Sequence, residues 1–162
     1  GLGDVYKRQI TNWQQLGGKN VPIVLVNRAQ GSGTRATFEK WVMQGKQPMA
    51  AQEQDSTGMV RQIVGSTPGA ISYVAFSYID KTVQGLSVDG VAPTDANVTT
   101  NQWRIWSYEH MYTKGQPKGL TKKFLAYVMS PAIQKKLVLK MGYVPMTQMK
   151  VVRDANGKVS KQ

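Results

Sequence analysis

Cysteine is absent from the 162 residues, which removes disulfides, thiolate metal ligands and a cysteine nucleophile together. Histidine occurs once, at His110, with no motif around it, so a structural role fits it better than a catalytic one. Acidic residues are scarce and dispersed. Nine Asp and Glu stand against 21 Lys and Arg, with no carboxylate pair placed for acid–base work and no acidic cluster for a hard cation. No apolar run approaches the ~18 residues of a membrane-spanning helix. The start also lacks the charged, apolar and small-residue order of a secretory signal. Without a nucleophile–base pair, a cofactor motif or a metal set, the chain reads as a non-enzyme that uses no cofactor.

What is present fits a soluble globular chain: 41% hydrophobic and 19% charged residues, enough for one ordinary core. The net charge of +12 implies attraction to an anion, whether nucleic acid, a wall or membrane surface, or a small ion. Nucleic-acid binders gather Lys and Arg on one element. Here the densest groups are pairs such as Lys122-Lys123 and Lys135-Lys136, so nucleic acid is disfavoured and a solvated basic surface is the plain alternative.

Along the chain, strand-like and helix-like segments alternate, which argues an α/β architecture. Asn12 to Gly18 reads as a short capped turn. Pro22 to Val26 reads as a buried strand of a parallel or mixed sheet. Ala36 to Gln44 predicts a helix with Phe38, Trp41 and Val42 on one face. Lys46 to Gln54 reads as a loop. Asp55-Ser56-Thr57 caps a second helix with an apolar stripe of Met59, Val60, Ile63 and Val64. A second strand spans 70–74, and Asp89-Gly90 signals a hairpin turn. Trp103 to Tyr112 reads as an aromatic strand, and 120–129 and 131–141 as two helices. Residues from 150 onward read as a frayed tail.

Residues 27–38, NRAQGSGTRATF, carry the clearest chemistry. A strand, a Gly-rich turn and a helix start follow one another there, and a helix start offers unpaired N–H groups and partial positive charge. Gly31 and Gly33 let the backbone approach closely. Ser32 and Thr34 add hydroxyls, and Arg28 adds a planar charged fork. Together they make an anion cradle, although a plain turn has the same composition. The spacing fits neither a Walker A loop nor the dinucleotide fingerprint.

Three ordered stretches, ITNWQQLGGKNVPIVLVNRAQGSGTRATFEKWV, DSTGMVRQIVGSTPGAISYV and FLAYVMSPAIQKKLVLKMGYVPM, resemble the phosphate-binding component of bacterial phosphate ABC importers, most closely the Gram-positive type. The likeness covers about residues 10 to 150. It implies a type 2 periplasmic-binding-protein-like lobe, a mixed sheet flanked by helices, from a two-lobed clamp that closes over one phosphate. The family's R-x-x-G-S-G-T motif falls on Arg28, Ser32, Gly33 and Thr34 as phosphate contacts, with Gly31 as the turn. Some members carry an Asp two residues after the Arg to orient it; Gln30 stands there in this chain. In the family, the first lobe supplies further hydroxyls and a proton-accepting carboxylate that favours hydrogen phosphate over sulfate.

The resulting expectation is a C-terminal fragment holding one side of the clamp. Residues 1–9, GLGDVYKRQ, begin without Met and read as a processed end, a cloning scar or a truncation, a non-native leader outside the fold. Residues 10–104 would be the second lobe, and 105–149 a return strand and helices packing toward the missing first lobe. Residues 150–162 would be a flexible tail. The resemblance implies extracellular phosphate capture and delivery to membrane permease subunits, by a protein that is monomeric at full length and lipid-anchored at the cell surface. The alternatives are a sulfate or molybdate binder on the same fold, and a basic surface protein that binds anionic wall polymers.

Overall fold

The computed structural model describes residues 2–162. They form two compact units, one running to Ala92 and the other spanning Pro93–Gln162. The break falls ahead of residue 104 because Thr99, Trp106 and Tyr108 are bonded to residues near 150: Lys150 N–H donates to the Thr99 carbonyl, and Arg153 binds Trp106 and Tyr108.

Of the expected leader, residues 2–9 do not stand outside the fold. Gly1 lies outside the described residues. Leu2–Tyr6 form helix α1, in which Val5 and Tyr6 are only 2% and 1% exposed. The Tyr6 ring lies 4.7 Å from Phe38 and 5.7 Å from Tyr73. Apolar complementarity draws this segment into the core, and burial on that scale contributes about 1.5–3 kcal/mol per large side chain.

The first unit is built on a parallel sheet. Strand β1 is Val24–Arg28, β2 is Gln52–Gln54 and β3 is Ala70–Ile71, in the order β2-β1-β3. Helix α2, Gly33–Trp41, connects β1 to β2, and α3, Thr57–Ser66, connects β2 to β3. The two crossovers run in opposite directions along the sheet. The right-handed rule therefore sends their helices to opposite faces. The side chains agree with this: Leu25 joins Phe38 of α2 in the core cluster. Val26, one residue on and thus on the other face, is fully buried, as is Val60 of α3, which packs on β1.

Several expectations shift in detail. The strand expected at 22–26 starts later and runs to Arg28. The loop expected at 46–54 contains β2, whose Gln-Glu-Gln carries no apolar signal because it is an edge strand with Gln52 and Glu53 exposed and Gln54 half-buried. The strand expected at 70–74 pairs over only two residues. On α2, Phe38 is buried and Val42 packs at the rim of the core, whereas Trp41 stays half-exposed beside the Lys40 amine. On α3, Val60 is buried, but Met59 faces solvent.

The local turn chemistry follows the sequence. Asn12 caps the 3₁₀ turn Trp13–Leu16 in a reciprocal box with Gln15, and Gly17 closes it at φ 78°. Asp89 and Gly90 both take positive φ, 52° and 77°, between the mutually bonded Val88 and Val91, as a two-residue hairpin turn requires.

In the second unit, α4 is Asp95–Thr99 and α5 is Gly119–Val128. After α5, the helix that begins near Pro131 widens to π geometry over Ile133–Val138, and Gly142 follows at φ 75°. The aromatic strand expected from Trp103 makes no ladder among the described residues. Its side chains are held instead by Arg153, whose guanidinium lies 3.9 Å over the Trp106 ring and donates to the carbonyls of Trp106 and Arg104. The expected tail is ordered too: β4, Val151–Arg153, pairs antiparallel with β5, Val159–Lys161.

Candidate functional site

The carboxyl ends of β1 and β2 lie side by side, with Arg28 paired to Gln54 in register. Helices α2 and α3 start just beyond them. In an open α/β sheet, ligands bind at this edge. Two helix starts therefore share it, each bringing N–H groups that its own backbone cannot satisfy.

At α2, Ser32 is the cap, and its hydroxyl oxygen accepts from Arg35 N–H at 3.3 Å. Ser32 N–H turns back to the Ala29 carbonyl at 3.2 Å. Gly31 makes this return possible at φ +86°, with nothing within 4 Å of where a Cβ would sit. Gly33 is equally open. Among the described residues, the Gly33 and Thr34 N–H groups have no protein acceptor, so two main-chain donors face outward. The Ser32 hydroxyl proton is also free to donate, because only its oxygen is used by the cap.

Arg28 ends β1 and is only 8% exposed. Its fork does not point into the Gly-rich turn. Nη1 donates to Thr57 Oγ1 at 2.6 Å, Nη2 to the Asp55 carbonyl at 2.6 Å, and Nε to the Gln54 carbonyl at 3.3 Å. All three acceptors are neutral, and a guanidinium has five donors. Arg28 is thus held rigidly although Gln30 replaces the family's orienting Asp. Its charge is not neutralised by a carboxylate among the described residues, and two N–H groups remain for an anion. Its own main-chain N–H donates to the Tyr73 hydroxyl at 3.3 Å, and burial pushes that hydroxyl's pKa up.

A hollow of about 320 Å³ opens beside the turn, lined by Gly31, Ser32 and Gly33 together with Gln30, Arg35 and Glu39. The structure thus gathers three of the five expected residues into one concavity. It sets the Arg28 fork toward the start of α3, and Thr34 is half-buried on the first turn of α2.

Sequence reasoning missed Arg35. It is 5% exposed, and it donates from Nε to Glu39 at 2.7 Å and from Nη1 to Glu53 at 2.6 Å. The bond to Glu39 raises its pKa above the ordinary value and Glu53 adds to this, against the opposing cost of burial. The i, i+4 spacing of Arg35 and Glu39 was a usable signal. Glu53 had none, because it sits in a polar run that reads as loop.

The comparisons with known proteins agree with this architecture. The PBP superfamily domain profile matches residues 2–132, starting inside the presumed leader. The phosphate-binding protein PstS of Bacillus subtilis strain 168 is 51% identical over 160 residues, spanning 98% of this chain and 53% of that protein. PstS 2 of Streptococcus agalactiae serotype V is 30% identical over 150 residues, spanning 85% of this chain and 51% of that one. Among solved structures, a Clostridium perfringens substrate-binding protein with bound phosphate superposes with a TM-score of 0.78 at 30% identity, covering 90% of this chain and 60% of that one. An ABC-type phosphate transport receptor from Vibrio cholerae gives 0.68 at 28% identity, with 88% and 61% covered. The chain spans about half the length of the curated relatives it matches. The resemblance read from the three motif stretches is borne out, and with the profile covering most of its length the chain belongs to the PBP superfamily.

Proposed function

We propose that the chain supplies one side of a phosphate-binding site in the solute-binding protein of a phosphate ABC importer. The observations that carry this reading are two amides without a protein acceptor, Gly33 and Thr34, and an Arg28 that ends the adjacent strand and donates only to neutral oxygens. Such a site offers directed hydrogen bonds and one uncompensated positive charge to a tetrahedral oxyanion. The Ser32 and Thr34 hydroxyls add donors. No bond is made or broken. Capture follows from closing a second lobe over the ion, and that lobe would carry the remaining contacts and the choice between phosphate and sulfate. The cargo then passes to membrane permease subunits, from a protein working outside the cytoplasm and tethered by a lipid. The Clostridium and Vibrio structures support the ligand class, and the surplus of Lys and Arg suits an anion's approach.

The test is an amide-resolved titration of this chain with inorganic phosphate. The expected result is weak, millimolar-range binding that moves the Gly33 and Thr34 resonances and persists as neutral salt is raised. Shifts confined to the Lys-rich surface of Pro93–Gln162, collapsing with salt, would replace this reading with polyanion attraction. Tight phosphate binding by the chain alone would overturn the half-site reading.

A further inference from the structure

We infer that Arg35 is a positioning residue of the cradle: held between Glu39 and Glu53, it fixes the Arg28 carbonyl and the Ser32 cap, so that the Gly33 and Thr34 amides keep their aim. This inference rests on the function proposed above. Arg35 touches every element that meets at the turn. Nη1 donates to the Arg28 carbonyl at 2.9 Å at the end of β1, and to Glu53 on β2. Nε donates to Glu39 one turn along α2, while the main-chain N–H donates to Ser32 Oγ.

The turn needs such an anchor. Among the described residues, its one internal main-chain hydrogen bond is Ser32 N–H to the Ala29 carbonyl, and Gly31 places little restriction on its own dihedrals. The three acceptors of the Arg35 side chain come from different elements and directions. A planar fork can serve them together, and the point charge of a lysine cannot.

The two arginines divide the electrostatic work. Arg35 faces two carboxylates and is fully compensated, so it is not the anion's charge partner. Arg28 is bonded to neutral oxygens and keeps its charge for the ligand. Arg35 also neutralises Glu39, a carboxylate that lines the same hollow and would otherwise repel an anion there.

Phosphate titrations of wild type, Arg35→Lys and Glu53→Gln, followed at the Gly33 and Thr34 amides beside thermal melts, test this. Arg35→Lys is expected to weaken phosphate binding at least tenfold, and the salt dependence of the residual binding should match wild type because Arg28 still supplies the charge. Wild-type affinity in a folded Arg35→Lys chain would overturn the inference. A salt dependence reduced by one charge would also overturn it, by making Arg35 a direct contact. If Arg35→Lys does not fold, Glu53→Gln carries the test, because it keeps the buried cation bonded to Glu39. A several-fold loss at an unchanged melting temperature is then expected, and unchanged affinity overturns the inference. Wild-type amides that ignore phosphate would instead refute the cradle itself, an outcome visible before any variant is compared.

Discussion

The rings of Phe38 and Tyr73 stack with centroids 4.0 Å apart and planes 6° from parallel, while the Tyr73 hydroxyl accepts the N–H of Arg28. One aromatic pair thus joins the core of the first unit to the last residue of its central strand. Phe38→Ala should cost about 3–5 kcal/mol of stability, the range for emptying a buried aromatic site. Tyr73→Phe should cost about 1 kcal/mol, since it removes only the hydroxyl acceptor. Urea denaturation separates the two. Equal losses would mean that the ring stack contributes little beyond the hydroxyl.

Arg28→Ala should remove about 2–5 kcal/mol of phosphate affinity from a complete two-lobed relative carrying this half, as expected for truncating a charged group in a buried site. Calorimetry reads the change. An affinity within experimental error of wild type would remove Arg28 from the site.

Gly69→Ala tests a close approach rather than a cradle. Gly69 sits at φ +79°, and an added Cβ would run into the Pro22 carbonyl oxygen and lie 2.9 Å from Val21 Cγ1. The first of these is main chain and cannot swing aside. A loss of about 2–3 kcal/mol is expected, at the upper end for overpacking, because αL strain adds to the clash. A melt unchanged within a degree or two would contradict this packing.

Asp80 gives a pH signature. Hydrogen bonds from the Thr82 hydroxyl and N–H, with Arg61 nearby, hold its carboxyl below its usual value of 3.8. A carboxylate with a lowered folded-state pKa stabilises the fold above the unfolded value and loses that contribution as pH falls through the folded one. Wild type and Asp80→Asn should therefore differ most above pH ~4 and converge in stronger acid. Melting curves whose gap stays constant down the acid range would show that the bonds do not depend on the charge.

Leu120, Phe124 and Tyr127 follow one another at i, i+4 and i+7 on α5, at 84%, 59% and 61% exposure. Leu120→Glu with Phe124→Glu should change stability by no more than about 0.5 kcal/mol, as for open surface sites, and should raise solubility by breaking the apolar stripe. A large loss of stability would mean that these side chains are packed in solution.

How much was legible depended on where the signal was local. The Asn12 box, the Ser56 cap and the Asp89-Gly90 turn are set by neighbours within a few residues, and the sequence displays them. The buried run through Val26 and the stripe through Val60 were readable because burial on a periodic element leaves a periodic pattern. β2 was not readable: Gln52 to Gln54 is a strand only because β1 offers it a parallel partner. The aromatic run after Trp103 has strand composition, but Arg153, about fifty residues away, claims its rings and carbonyls. At the site, residue types pointed to Arg28 and the Ser32–Thr34 turn, whereas the direction of the Arg28 fork came from acceptors on the β2–α3 connection. Arg35 escaped notice because two of its partners, Glu53 and the Arg28 carbonyl, are brought to it by the fold.

The two neighbours of β1 grip opposite ends of it. β3 pairs with Val24 and Leu25, and β2 with Val26 through Arg28. The first grip lies over the hydrophobic core, while the second is three polar residues at the sheet's edge. Amide exchange should therefore divide along this one strand: the early amides would open only with global unfolding, and those near Arg28 through smaller, local opening. The end of β1 nearest Arg28 is then the part of this strand that can open while its root stays closed.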